Sequence, residues 1–137
     1  MRRRTPNRRK AQAGQSLLET TLMIVVIFSL VFWVFEVGWV MYTYSVLADA
    51  VNEGVRYAVV HSGGDPSGTQ ATVQNFASAS FHNLSAMTLS VTFPDGSATP
   101  PNRVRVSATY TYVPWLPEFM PVAPSMQVYA EGRMVAQ

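Results

Sequence analysis

Side chains that could do chemistry are scarce in this chain and widely spread. Its 137 residues hold eight carboxylates, two histidines and no cysteine. Without cysteine there can be no disulfide framework, no thiolate zinc site and no cysteine nucleophile. His61 and His82 lie too far from clustered acids to suggest a metal site. GxSxG, P-loop and HExxH patterns are all missing. No catalytic residue, metal site or cofactor is expected, and the chain does not read as an enzyme. Two carboxylates stand out by their surroundings. Glu19 sits at the edge of a long apolar run and Glu36 lies inside it. A carboxylate at the centre of a membrane-spanning helix costs about 2.5–3.5 kcal/mol, and less near its ends. At Glu19 the helix dipole alone accounts for an acid in a first turn.

The run that must position both acids extends from Gly14 to Ala48. From Thr20 to Ala48 it carries one charge, Glu36, and no proline. Those residues make a rod of roughly 43 Å at 1.5 Å per residue, longer than a hydrocarbon core of about 30 Å. A single membrane-spanning helix is expected. If lipid begins at Leu17, Glu36 stands about 29 Å up the rod, near the far interface and hydrated. The other reading puts Glu36 inside a helix bundle, paired with a polar or cationic group of a partner.

Charge sets the orientation. Six of the ten basic residues (Arg2, Arg3, Arg4, Arg8, Arg9 and Lys10) precede the span, whereas four arginines face six carboxylates after Ala48. Basic flanks stay on the cytoplasmic side, so the N-terminus is expected inside and the rest outside. Short basic runs also bind nucleic acid, but with an apolar span so close behind, no nucleic-acid partner is expected. Residues 1–14 read as an unfolded leader. The Ala11-Gln12-Ala13 triplet precedes the apolar run, whereas a secretory cleavage site follows it. The triplet in the right order, Ala48-Asp49-Ala50, stands behind a stretch far too long for a signal peptide.

Beyond the span the helical period continues. Val46, Leu47, Ala50, Val51, Gly54, Val55, Ala58 and Val59 recur at three- and four-residue steps. Glu53 and Arg56 are spaced to pair on the polar side. The breakers from Gly63 to Gly68 end this rod near His61, after about 45 residues. A second helix is expected over Thr69–Leu84, with Val73, Phe76, Ala77, Phe81 and Leu84 on one face. The period then changes to two. Met87–Phe93, Arg103–Val113 and Ser125–Val135 read as three strands, with Gly132 a local weakness in the third. Short connections favour an antiparallel meander whose apolar face is covered by the long helix. Between the last two strands, Pro114–Pro124 holds four prolines and cannot pair as a strand. It reads either as a loop tucked over the sheet edge or as an exposed contact through Trp115 and Phe119, to a partner subunit or to the outer membrane face.

Basic residues, then Gly14, then Glu19, then an unbroken apolar helix form a pattern that resembles the class III signal of type IV prepilins. That resemblance implies cleavage after Gly14 by a membrane aspartic peptidase on the cytoplasmic face. Gln15 would become the new N-terminus and a candidate for methylation. A freed α-amine in lipid needs a partner, and Glu19 could neutralise its own or a neighbour's amine. EGVRYA at Glu53–Ala58, Glu36 followed by Val37-Gly38, and the block VRVSATYTYVPWLP together resemble TadE-like proteins, with Val51 a departure where that family more often has Ala. In that family Glu36, Glu53, Gly54, Arg56 and Tyr57 fall on motif positions. The resemblance implies a pseudopilin or minor pilin of the tight-adherence (Flp, type IVc) pilus, active in adhesion and biofilm formation. Its implied partners are a prepilin peptidase, other pilins or pseudopilins, an inner-membrane assembly platform and the lipid bilayer.

The expected architecture is therefore α+β: a basic leader (1–14), a transmembrane helix (15–48) and a small pilin-like extracytoplasmic head (49–137) with one short helix and a three-stranded sheet. Two alternatives stay open on the residues alone. One is an uncleaved, bitopic membrane protein with a binding head. The other is a domain released behind Ala50. The mature N-terminus separates all three.

Overall fold

The computed structural model describes residues 8–81, 83–118 and 120–136, with the side chains of 8–13 and of Ser62 outside the description. Helix α1 spans Arg8–Val60, a continuous rod of 53 residues and about 80 Å. It begins earlier than expected: the backbone from Arg8 to Gly14 is helical instead of unfolded. The physical reason is that no proline lies between Arg8 and Gly14, and lysine, alanine and glutamine are all good helix formers. Residues 1–7 of the leader, including Arg2, Arg3 and Arg4, lie outside the described residues.

α1 stops at Val60, one residue before the expected end. Gly63 and Gly64 take φ values of +66° and +67°, a region that costs glycine nothing. The second helix, α2, runs Pro66–Ser78 and not Thr69–Leu84. Asp65 caps it by accepting from the Gly68 N–H at 3.2 Å, and Pro66 suits the first turn because its missing N–H would be unsatisfied there anyway. It ends early because Phe81 turns inward, with its N–H bonded to the Ala77 carbonyl at 2.9 Å and its ring 4.6 Å from Tyr110. Val73 and Ala77 are buried as the period required, but Phe76 is exposed.

Strands β1 (Met87–Thr92), β2 (Arg103–Thr111) and β3 (Ser125–Arg133) form an antiparallel meander in the order β1-β2-β3. In register, Met87 faces Tyr110, which faces Met126 in turn. On the central strand, Val104, Val106, Ala108 and Tyr110 are buried, and Tyr112 continues that face just beyond the strand. This apolar face lies against the outer half of α1, where Leu47, Ala50, Val51 and Ala58 are fully buried. The opposite face is polar, with Arg103 and Arg105 both paired to Glu131. Gly132, a weak point by strand propensity, lies close against the helix. A Cβ there would lie 2.6 Å from both Val55 Cγ1 and Val59 Cγ2.

α1 thus has two halves. From Leu17 to Phe35 its large apolar side chains are exposed, over about 28 Å of rise. From Glu36 onward it carries buried residues that belong to the head: Thr43, Val46 and Leu47 all lie before Ala48. The helix is long and apolar enough to cross a membrane, and its placement near the N-terminus fits a single-pass membrane protein.

Candidate processing and membrane-junction sites

The N-terminal group of site residues lies on exposed helix. The Gln15 side chain donates to Glu19 Oε1 at 3.1 Å across one turn. The acid therefore stands on the face of the helix that carries residue 15. Gly14 has no atom within 4 Å of where a Cβ would sit, so nothing in the fold requires glycine there. A requirement for glycine at this position must come from outside the folded chain.

Glu36 is buried against the head of its own chain. It is 4 % exposed, and its Oε1 accepts two hydrogen bonds from the head. One comes from the Tyr112 hydroxyl at 2.9 Å and the other from the Trp115 backbone N–H, also at 2.9 Å. The expectation of a hydrated acid fails because the chain folds back onto the helix at this height. Burial, and then the bond to Glu36, push the Tyr112 hydroxyl well above the usual tyrosine range, so it stays a donor. The Trp115 ring meets Trp39 edge-on at 6.1 Å, a favoured aromatic geometry. Acid, hydroxyl and indole clasp the head to the point where α1 ceases to be fully exposed.

Among its described residues the loop 114–124 forms no strand. It rests on α1 through this clasp and is closed at its base by the Tyr112 N–H bonded to the Pro124 carbonyl at 3.0 Å. Trp115 stays 61 % exposed, whereas Phe119 lies outside the described residues, as does His82.

The EGVRYA segment divides between inward and outward roles. Gly54 is buried where α1 crosses α2, and a Cβ there would collide with Val73 Cγ2. The Tyr57 hydroxyl donates to Asp65 Oδ2 at 3.1 Å, tying α1 to the cap of α2. That bond raises the Tyr57 hydroxyl above its ordinary value. The Gly68 N–H, Ser67 and Tyr57 bonds lower Asp65. Glu53 and Arg56 point outward as an exposed ion pair at 3.6 Å. They line a surface cleft of about 530 Å³ with Asp49, Asn52, Val55 and Phe76. Tyr112 and Asp65 escaped the sequence reading. Tyr112 sits on an apolar alternation, and only the hydroxyl on its ring could have signalled a buried acceptor.

No cluster of three or more metal-binding side chains occurs among the described residues, and the buried side-chain polar atoms there all have partners.

Residues 14–56 match the family model described as TadE-like protein. Over this segment the chain is TadE-like. The TadE-like match opens on Gly14 and closes on Arg56, taking in Glu19, Glu36, Glu53 and Gly54, and it supports a protein of the tight-adherence pilus system. It covers about a third of the chain and leaves α2 and the sheet outside. No curated protein and no solved structure matched the chain.

Proposed function

We infer that this chain is a non-catalytic pseudopilin or minor pilin of a tight-adherence pilus, cut after Gly14 by a prepilin peptidase. In this reading it sits in the bacterial inner membrane with its N-terminus cytoplasmic and its head outside. From there it joins other pilins or pseudopilins on the assembly platform and serves adhesion and biofilm formation. The observation that carries the reading is that the TadE-like segment starts at Gly14 and runs without a break along one helix, through the exposed apolar half and into the head. The Gln15–Glu19 contact favours it further, because a new α-amine at residue 15 would find a carboxylate one turn away. The small head, a helix and three strands on an α-helical spine, is of a size and build that suit a pilin-like subunit.

Mass spectrometry of the protein from cells tests this. The expected mature chain begins at Gln15, and Gly14→Leu leaves it uncut. Open space around Gly14 means that the variant keeps its fold, so a loss of processing reads on peptidase recognition. An intact Met1 in the wild-type chain refutes the reading, and a chain starting at Val51 replaces it with a released domain.

A further inference from the structure

We propose that the segment formed by residues 113–118 and 120–124 is a second membrane contact, an interfacial anchor that seats Trp115 among the headgroups of the leaflet from which α1 emerges. The proposal rests on α1 crossing a bilayer and is independent of cleavage after Gly14.

Height is the first argument. Trp115 is held at Glu36 by its backbone N–H and at Trp39 by its ring. With Leu116 it lines a cleft of about 340 Å³ whose other walls are Phe32, Phe35, Glu36 and Trp39. The loop therefore lies level with residues 32–39 of the helix. Below it, Leu17–Phe35 rises about 28 Å, close to the hydrocarbon thickness of about 30 Å. A bilayer that covers the exposed half of α1 has its outer boundary at Trp115.

Chemistry is the second argument. Val113, Trp115 and Val122 are exposed, and residues 113–124 contain one charge, Glu118, and no lysine or arginine. Trp39, Tyr42 and Tyr44 are also exposed just above on α1. Indole and phenol rings favour the membrane–water boundary, where an apolar body and a polar tip are both satisfied. Glu36 does not interrupt this surface, because its Oε1 is occupied by the head's own donors.

Continuity decides between lipid and a second protein copy. The apolar wall passes from Phe32 and Phe35, which face the hydrocarbon, directly onto Trp115 and Leu116. The solvent that covers the first pair reaches the second. A lone helix leaves the head free to rotate about its axis. A second contact at its base restrains that rotation and tilt, and so fixes which side of the head faces neighbours.

The test uses the full chain in vesicles of phosphatidylethanolamine and phosphatidylglycerol. Trp33→Phe with Trp39→Phe leaves Trp115 as the sole tryptophan, excited selectively over the tyrosines at the red edge, and Phe28→Trp with all three native tryptophans changed to Phe provides a mid-span reference. Trp115 emission is expected to be blue-shifted, protected from iodide, and quenched more by lipids spin-labelled near the headgroup than by those labelled at the chain end. The reference is expected to show the opposite depth preference. Iodide quenching of Trp115 alongside a deep reference overturns the anchor and leaves the span standing. Protection that gives way to iodide as lipid is added in excess shows a second copy on the loop and also overturns it. A reference that no lipid label quenches removes the span and the proposal together. Because Trp39 touches Trp115, a nitroxide at Leu116→Cys in the otherwise cysteine-free chain repeats the measurement with all three tryptophans present. Greater access to oxygen than to a water-soluble nickel complex is expected there, and the reverse overturns the proposal.

Discussion

Removing the Tyr112 hydroxyl tests whether the head and the membrane helix are locked together. In Tyr112→Phe the ring keeps its packing, but Glu36 Oε1 loses one of its two donors. A buried polar group that loses a partner costs about 1–3 kcal/mol. The Trp115 N–H stays on the same oxygen, so we expect about 1–1.5 kcal/mol, the lower half of that range. For a domain of 60–100 residues this lowers the melting temperature by about 4–12 °C. Glu36→Leu strips the acceptor from both donors and is expected to cost more, about 2–3 kcal/mol. The double variant is the sharper measurement. With hydroxyl and acid both gone, little is left unsatisfied, so its loss falls short of the sum of the singles by at least about 0.5 kcal/mol. Near-UV circular dichroism of the full chain in non-ionic micelles follows this, because Phe81, Tyr110 and Tyr112 pack together in the head and not in the span. Additive losses, or an unchanged melt in Tyr112→Phe, would show that the clasp contributes nothing and that the head is held by its apolar contacts alone.

Other outcomes follow from close approaches and exposed charges. Gly54→Val is expected to force α1 and α2 apart at Val73, at about 1–3 kcal/mol for overpacking, read in the same melt. Gly132→Val, against Val55 and Val59, costs a similar amount (about 1–3 kcal/mol), whereas a strand-propensity argument alone predicts a gain. Arg56→Ala should leave the melt within about 0.5 kcal/mol, since exposed pairs at this spacing are weak, while reducing co-purification with partner pilins if the cleft is an assembly surface. The Arg103 side chain and backbone N–H hold Asp95 down to about 2 from its ordinary 3.8. A lowered carboxylate adds stability above its unfolded value and loses it as pH falls through its folded one. Stability should therefore decline between those two values (3.8 and about 2), and Asp95→Asn should flatten that slope in acid titrations of the melt.

Local periodicity carried most of the architecture. The step of three and four over Val46–Val59 named the face that the sheet covers, and the change to a period of two over Arg103–Val113 named its central strand. Helix ends were less legible because they depend on single contacts. Asp65 and Pro66 start α2 early, and Phe81 leaves it to meet Tyr110, a residue 29 positions away. The surroundings of Glu36 were illegible for a related reason. Its donors lie 76 and 79 residues along the chain, so depth along the rod suggested water where the fold supplies a hydroxyl and an amide. Gly14 and Glu19 were readable only as a pattern, since among the described residues neither makes a tertiary contact that the fold could explain.

The same distinction sorts the motif residues by what the fold can account for. Gly54 is required by the crossing of two helices and Tyr57 by the cap of α2, so neither needs a partner molecule to explain its identity. Glu36 joins them once its two donors are counted. Gly14 has open space around it, Glu19 bonds the neighbouring Gln15, and the Glu53–Arg56 pair is exposed on a cleft wall. A surface pair of that kind contributes about 0–1 kcal/mol, too little to explain a motif through stability. The residues that the fold leaves unexplained thus fall at two places, the start of the membrane helix and the cleft beside Phe76. In the proposed reading, those are the places that a peptidase and a neighbouring subunit would read.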